Sequence, residues 1–75
     1  MDGIVPVARL KVPLGGQLIE LQHVAHEGGM PMLRIRIREG HRFTVLDIDP
    51  RTAGELACAM QAWARTREEQ GEASP

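Results

Sequence analysis

The sequence predicts an α+β fold: a four-stranded antiparallel β-meander with one C-terminal α-helix packed on one face, a two-layer β4α domain. Three observations carry that prediction. Four stretches alternate apolar and polar residues with period two, the pattern of a half-buried strand. Glycine-bearing turns separate them at lengths suited to hairpins. After the last stretch, apolar residues recur at helical spacing behind a capping signal.

The strand stretches are 7–12, 17–24, 32–38 and 42–48, and the gaps between them read "LGGQ", "EGG" and "EGHR". Taking Gly15 and Gly16 as a two-residue loop sets Val12 opposite Ile19 and Leu10 opposite Leu21. Taking "EGG" as a three-residue loop, with a glycine in the left-handed position, sets Leu21 opposite Ile35 and Ile19 opposite Ile37. Gly40 and His41 suit a type II′ turn, which wants glycine first. That turn sets Ile37 opposite Thr44, Ile35 opposite Leu46 and Leu33 opposite Ile48. All three hairpins put apolar residues on one common face, and a one-residue slip in any of them would send that strand's set to the other side.

The helix follows "DIDP". Asp49 is a good N-cap, and Pro50 fits the first helical position, where its missing N–H satisfies no bond. Ala53, Leu56, Ala57, Met60, Trp63 and Ala64 then form one apolar stripe. Arg65 and Arg67 suit the negative end of the helix dipole, and Gly71 is the expected stop. The helix is expected to cross the inner sheet face and bury Leu10, Ile19, Leu21, Leu33, Ile35, Ile37, Leu46 and Ile48. Gly54 and the alanines would let it approach closely. The stripe reads as core rather than as a cofactor site.

Residues 1–70 are expected to form this single domain, and 71–75, "GEASP", a disordered tail. At 75 residues the chain is near the lower limit for folding on a hydrophobic core alone. It has one Phe, one Trp and no Tyr, so aliphatic residues must fill that core, and help from self-association is expected. A formal net charge of −1 gives no global field that favours nucleic acid. The one cysteine, Cys58, makes no internal disulfide, which fits a reducing compartment. Neither a secretion signal nor an apolar run of ~20 residues is visible. The expectation is a cytoplasmic protein with no membrane contact.

On the outer face Arg34, Arg36 and Arg38 point the same way. Arg34 faces Asp47 and Gln22. Arg36 lies between Glu20 and Val45, with Glu20 also facing Lys11. Arg38 lies between Leu18 and Phe43 and has no local acid. One account is a sheet face that alternates charge to stay soluble and unstacked. Against it stands the company of Val7, Leu18, Val24, Met32, Phe43 and Val45, a mixed composition enriched in protein interfaces. Arg34, Arg36, Arg38, Phe43, Val45 and Met32 are therefore the expected interaction face. The partner would be a second copy or a larger complex. Pro6 and Pro13 blunt the first strand's edge, whereas the fourth strand has no proline, so two copies could also pair edge to edge.

The alternative is a single-stranded nucleic acid tracked by Arg9, Lys11, Arg34, Arg36 and Arg38, with Phe43 stacking a base. One aromatic and a pI of about 6.3 place it second. No catalysis, cofactor or metal is expected. His26, Met30 and Met32 share the outer side of one hairpin, a donor set suited to Cu(I), but read as an incidental grouping, with His23 pointing inward. Cys58 has no His–acid pair near it in the sequence, and His41 sits at a turn tip. Asp47 and Asp49 already have structural roles. The "GGQ" at 15–17 matches the tripeptide of peptide-release factors, in a turn too short to carry that function.

The run "VPVARLKVPLGGQLIELQHV", with "FTVLDIDP" further on, resembles short uncharacterised bacterial proteins of this length. The likeness covers residues 4–64 and implies no activity. In order of elements the chain is also similar to the single-strand-binding domain of PC4-type transcriptional coactivators. Their basic, aromatic-bearing sheet would correspond here to Arg34, Arg36, Arg38 and Phe43. Their lysine-rich loops have no counterpart. Architecture alone does not transfer function.

Overall fold

A computed structural model describes residues 3–73. Strands β1 (Val5–Lys11), β2 (Leu18–Ala25), β3 (Pro31–Glu39) and β4 (Arg42–Ile48) form one antiparallel sheet in chain order. Helix α1 (Pro50–Ala73) follows. The α+β class and the order of elements are those the sequence predicts.

Two of the three turns match their expected chemistry. Gly40 takes a φ of 59° and His41 does not enter the positive region, as a turn with glycine first requires. Ile37, Ile35 and Leu33 then pair with Thr44, Leu46 and Ile48. Between β2 and β3 the residues Glu27–Gly29 make a single 3-10 turn, with Gly28 and Gly29 both at a φ of 79°. Leu21 pairs with Ile35 and Ile19 with Ile37.

The first hairpin differs. Leu10 pairs with Ile19 and Arg9 with Glu20, a shift of two residues from the expected register. The loop holds four residues rather than two. Val12 donates its N–H to the Gln17 carbonyl at 2.8 Å and accepts from Gly16 N–H at 2.7 Å. Pro13 has no N–H with which to extend the ladder, so "PLGG" becomes the turn. A two-residue slip preserves side-chain parity, so the face assignments survive. The charge pairing does not: Arg9, and not Lys11, faces Glu20. A bulge between Pro6 and Ala8 adds a further irregularity to this edge strand.

The larger correction concerns the helix, which does not cover the inner face. Leu10 and Leu46 on that face are 55% and 53% exposed, and Met60 and Trp63 on the helical stripe are 56% and 63% exposed. Among the described residues only Val24 and Ile48 count as a buried apolar core, at 8% and 9% exposure. The radius of gyration is 15.1 Å and the principal extents are 50 × 30 × 15 Å. A compact chain of this length would have a radius near 11 Å.

The cause is the connection. β4 ends at Ile48 and α1 begins at Pro50, so Asp49 alone joins them. Strand-to-helix connections that let a helix fold back on its sheet usually take about two to six residues. Asp49 is also fixed as a cap. Its Oδ2 accepts from the N–H groups of Arg51 and Thr52, each at 3.1 Å, and its Oδ1 accepts from the Thr52 hydroxyl. With so short a link and its first turn capped in this way, the helix does not fold back across its own sheet. Near the sheet, its first turn borders a depression, Pro50 and Ala53 lying beside His23, Pro31 and Leu33. α1 also runs through Gly71 instead of stopping there. Of the expected tail, residues 74 and 75 lie outside the described residues.

Candidate interaction surfaces

The two sheet faces solve the problem of exposure differently. On the outer face Met32 is followed by an arginine at every second residue of β3, Arg34, Arg36 and Arg38, and strand pairing puts acids beside two of them. Arg34 donates from Nε to Asp47 Oδ1 at 2.8 Å and from a terminal nitrogen to Oδ2 at 3.0 Å, a bidentate pair. Nε2 of His26 lies 3.0 Å from the same Asp47 Oδ2. The hydrogen bonds from Arg34, with that to His26 adding, hold the Asp47 carboxyl below the usual carboxylate range, and Asp47 in turn raises Arg34.

Arg36 donates to Glu20 Oε1 at 2.9 Å and lies over Phe43, its guanidinium carbon 4.2 Å from the ring centroid. Arg9 approaches Glu20 Oε2 at 3.9 Å. These long side chains lie along the sheet and cover apolar surface with their stems. Val24, on this same face, is one of the buried pair. Among the described contacts Arg38 has one, from its Nε to the Gly40 carbonyl at 3.3 Å. It joins Arg9, Lys11, Leu18 and two turn glycines, Gly16 and Gly40, around an open depression of about 370 Å³.

The expected interaction face is thus brought together, but much of it is engaged with itself. Arg34 and Arg36 are half-buried in ion pairs, and Met32 is half-buried. Phe43 and Val45 are about half exposed on the edge strand β4, with Arg36 lying over the Phe43 ring. The five cations and one aromatic named for nucleic acid divide in the same way. Arg9, Lys11 and Arg38 gather at the basic depression, whereas Arg34, Arg36 and Phe43 form the covered part. His26 is turned to Asp47, while Met30 is exposed at the hairpin. No cluster of three or more His, Cys, Asp or Glu side chains suited to a metal occurs among the described residues. Asp47 and Asp49 are both engaged, Asp49 being lowered chiefly by its bond with the Thr52 hydroxyl.

The inner face is mainly apolar: Leu10, Ile19, Leu21, Leu33, Ile35, Ile37, Leu46 and Ile48 run across all four strands, with His23 and Thr44 among them and Glu39 and Arg42 at one end, where Gln17 donates to Glu39 at 3.1 Å. Of these Leu10 and Leu46 are exposed, the middle of the face is half-buried and Ile48 is buried, whereas on α1 Leu56, Met60 and Trp63 are all exposed, beside a groove of about 530 Å³ bounded by Ala59, Met60, Trp63 and Ala64. Arg67 lies over Trp63, 5.3 Å from a ring centroid. Residues assigned to the core from sequence are therefore the most prominent uncovered apolar surface of the single chain. The signal was present in "DIDP": a cap and a helix-starting proline leave one residue for the turn.

No helix among the described residues is long and apolar enough to cross a membrane. A family model described as a family of unknown function, DUF6967, matches residues 1–66. No curated protein and no solved structure matches the chain.

Proposed function

This chain belongs to DUF6967, a family of unknown function, and we propose that it is a small non-catalytic interaction module that acts by self-association. One observation carries the reading: an apolar sheet face and an apolar helical stripe both stand open in the same chain. Exposed apolar surface of this extent marks a contact site in a small protein. The surface at work is the inner face, and the arginine-bearing outer face stays toward solvent or toward a further partner. The setting is a reducing cytoplasm, in keeping with the lone exposed thiol of Cys58. Sedimentation velocity over a hundredfold range of concentration tests the proposal. A species heavier than one chain is expected throughout, and an 8.3 kDa monomer at every concentration would refute it.

The basic depression supports a second reading, binding of single-stranded nucleic acid along the outer face. Lys11 and Arg38 are the cations there that no carboxylate engages among the described contacts. Replacing each with Gln is expected to weaken a single-stranded oligonucleotide and to lower the salt slope of its binding by about 0.7 per residue. If the unmodified chain retains no oligonucleotide at low salt, this reading is lost.

A further inference from the structure

We propose that two copies exchange helices reciprocally, α1 of each protomer lying across the inner sheet face of its partner. This rests on the self-association reading and specifies its geometry. Three observations select a second copy as the occupant.

The first is that donor and acceptor are on one chain. The helical stripe from Ala53 to Ala64 is about 17 Å long at 1.5 Å per residue. Four strands span about 14 Å from the first to the last at their usual spacing. The stripe thus crosses the sheet once, over Leu10, Leu21, Ile35 and Leu46, the apolar residues of successive strands. A face that fits the chain's own helix fits the same helix from a neighbour.

The second is the hinge. Asp49 is the only residue between β4 and α1, and its carboxylate is tied to the first helical turn. The helix is held off its own sheet. Short hinges of this kind favour exchange of an identical element between protomers. Because each chain gives a helix and receives one, the contact is two-fold and closes on itself, leaving no free apolar face to continue a polymer.

The third is area. A folded chain of 8.3 kDa is expected to expose about 4,600 Å², and this one exposes 6169 Å². The excess of about 1,600 Å² per chain exceeds the ~800 Å² per partner of a standard interface and suits an obligate dimer. At its paired positions the inner face carries acidic or basic side chains only in Glu39 and Arg42, a pair of opposite sign at the turn end of β3 and β4. Its association should therefore depend on salt far less than binding through the outer arginines.

Complementation between two variants of the full chain tests the geometry. Trp63→Glu spoils the stripe, and Leu46→Glu spoils the receiving face. Each alone breaks both helix–sheet contacts, so light scattering should report a fall from twice 8.3 kDa to 8.3 kDa. Mixed, they restore one intact contact, the normal helix of the Leu46→Glu chain on the normal sheet of the Trp63→Glu chain, and a dimer should return. A dimer that survives Trp63→Glu but is lost in Leu46→Glu overturns helix exchange in favour of sheet-on-sheet pairing while self-association stands. A monomeric unmodified chain overturns both. Leu46→Thr, which keeps a strand-forming residue, replaces Leu46→Glu if circular dichroism shows that the glutamate variant has lost its sheet.

Discussion

The side chains of the outer face are paired closely enough to leave a mark on titration. Asp47 and Asp49 both have folded pKa values below their unfolded ones, through Arg34 and Thr52 respectively. The unfolded chain therefore binds more protons between the two values, and stability rises with pH across that interval. Their contribution is fully present above the ordinary aspartate value near 4 and is lost as pH falls through the depressed values. A thermal midpoint that is flat from pH 7 to 5 and drops on the acid side is expected. Asp47→Asn should flatten part of that drop and lower the midpoint at pH 7. Phe43→Ala makes a separate test of the face. It removes a contact with Arg36 worth about 0.5–1 kcal/mol, and should leave the mass in solution unchanged because Phe43 lies opposite the associating side.

At the scale of elements, the hinge makes the sharpest prediction. Inserting Gly-Ser-Gly between Ile48 and Asp49 lengthens the connection into the range that permits fold-back while keeping the Asp49 cap on the helix. The helix can then cover its own sheet, and the self-associated species should become a monomer with a similar far-ultraviolet spectrum. Gly54→Ala should stabilise α1 by roughly 1 kcal/mol, since an added Cβ there meets nothing within 4 Å. Its effect should be seen in helix content and thermal midpoint, not in mass. The sheet was legible from sequence because turn chemistry and burial pattern agree independently at Gly40-His41 and at "EGG". The first hairpin was less so: "PLGG" and the Gly15-Gly16 turn both keep the same residues inside, so the hydrophobic pattern does not choose between them. The helix was legible as an element and misread as a neighbour. A stripe of Leu56, Met60 and Trp63 states that something must cover it, while the one-residue link at Asp49 decides that its own sheet does not.

For the whole molecule, folding and association become one equilibrium if the reciprocal dimer holds. The single chain buries little, with Val24 and Ile48 as its apolar core among the described residues. Most of the stabilising apolar contact then lies between protomers, and the thermal midpoint should climb as total protein concentration rises. A midpoint independent of concentration would mean that the isolated chain is stable by itself. The outer faces of such a dimer point away from each other, so each would present its basic depression of Arg9, Lys11 and Arg38 separately.

The two-residue slip of the first hairpin also bears on how this family can vary. Because sides alternate, a turn that gains or loses residues in pairs can leave both faces with the same occupants, while an odd change exchanges oil for charge along an entire strand. Insertions and deletions between β1 and β2 should therefore be tolerated by even numbers and rejected by odd ones, unless a bulge such as that beside Pro6 absorbs the difference. A library of turn lengths from three to eight residues, scored for soluble expression, should rise and fall with every added residue.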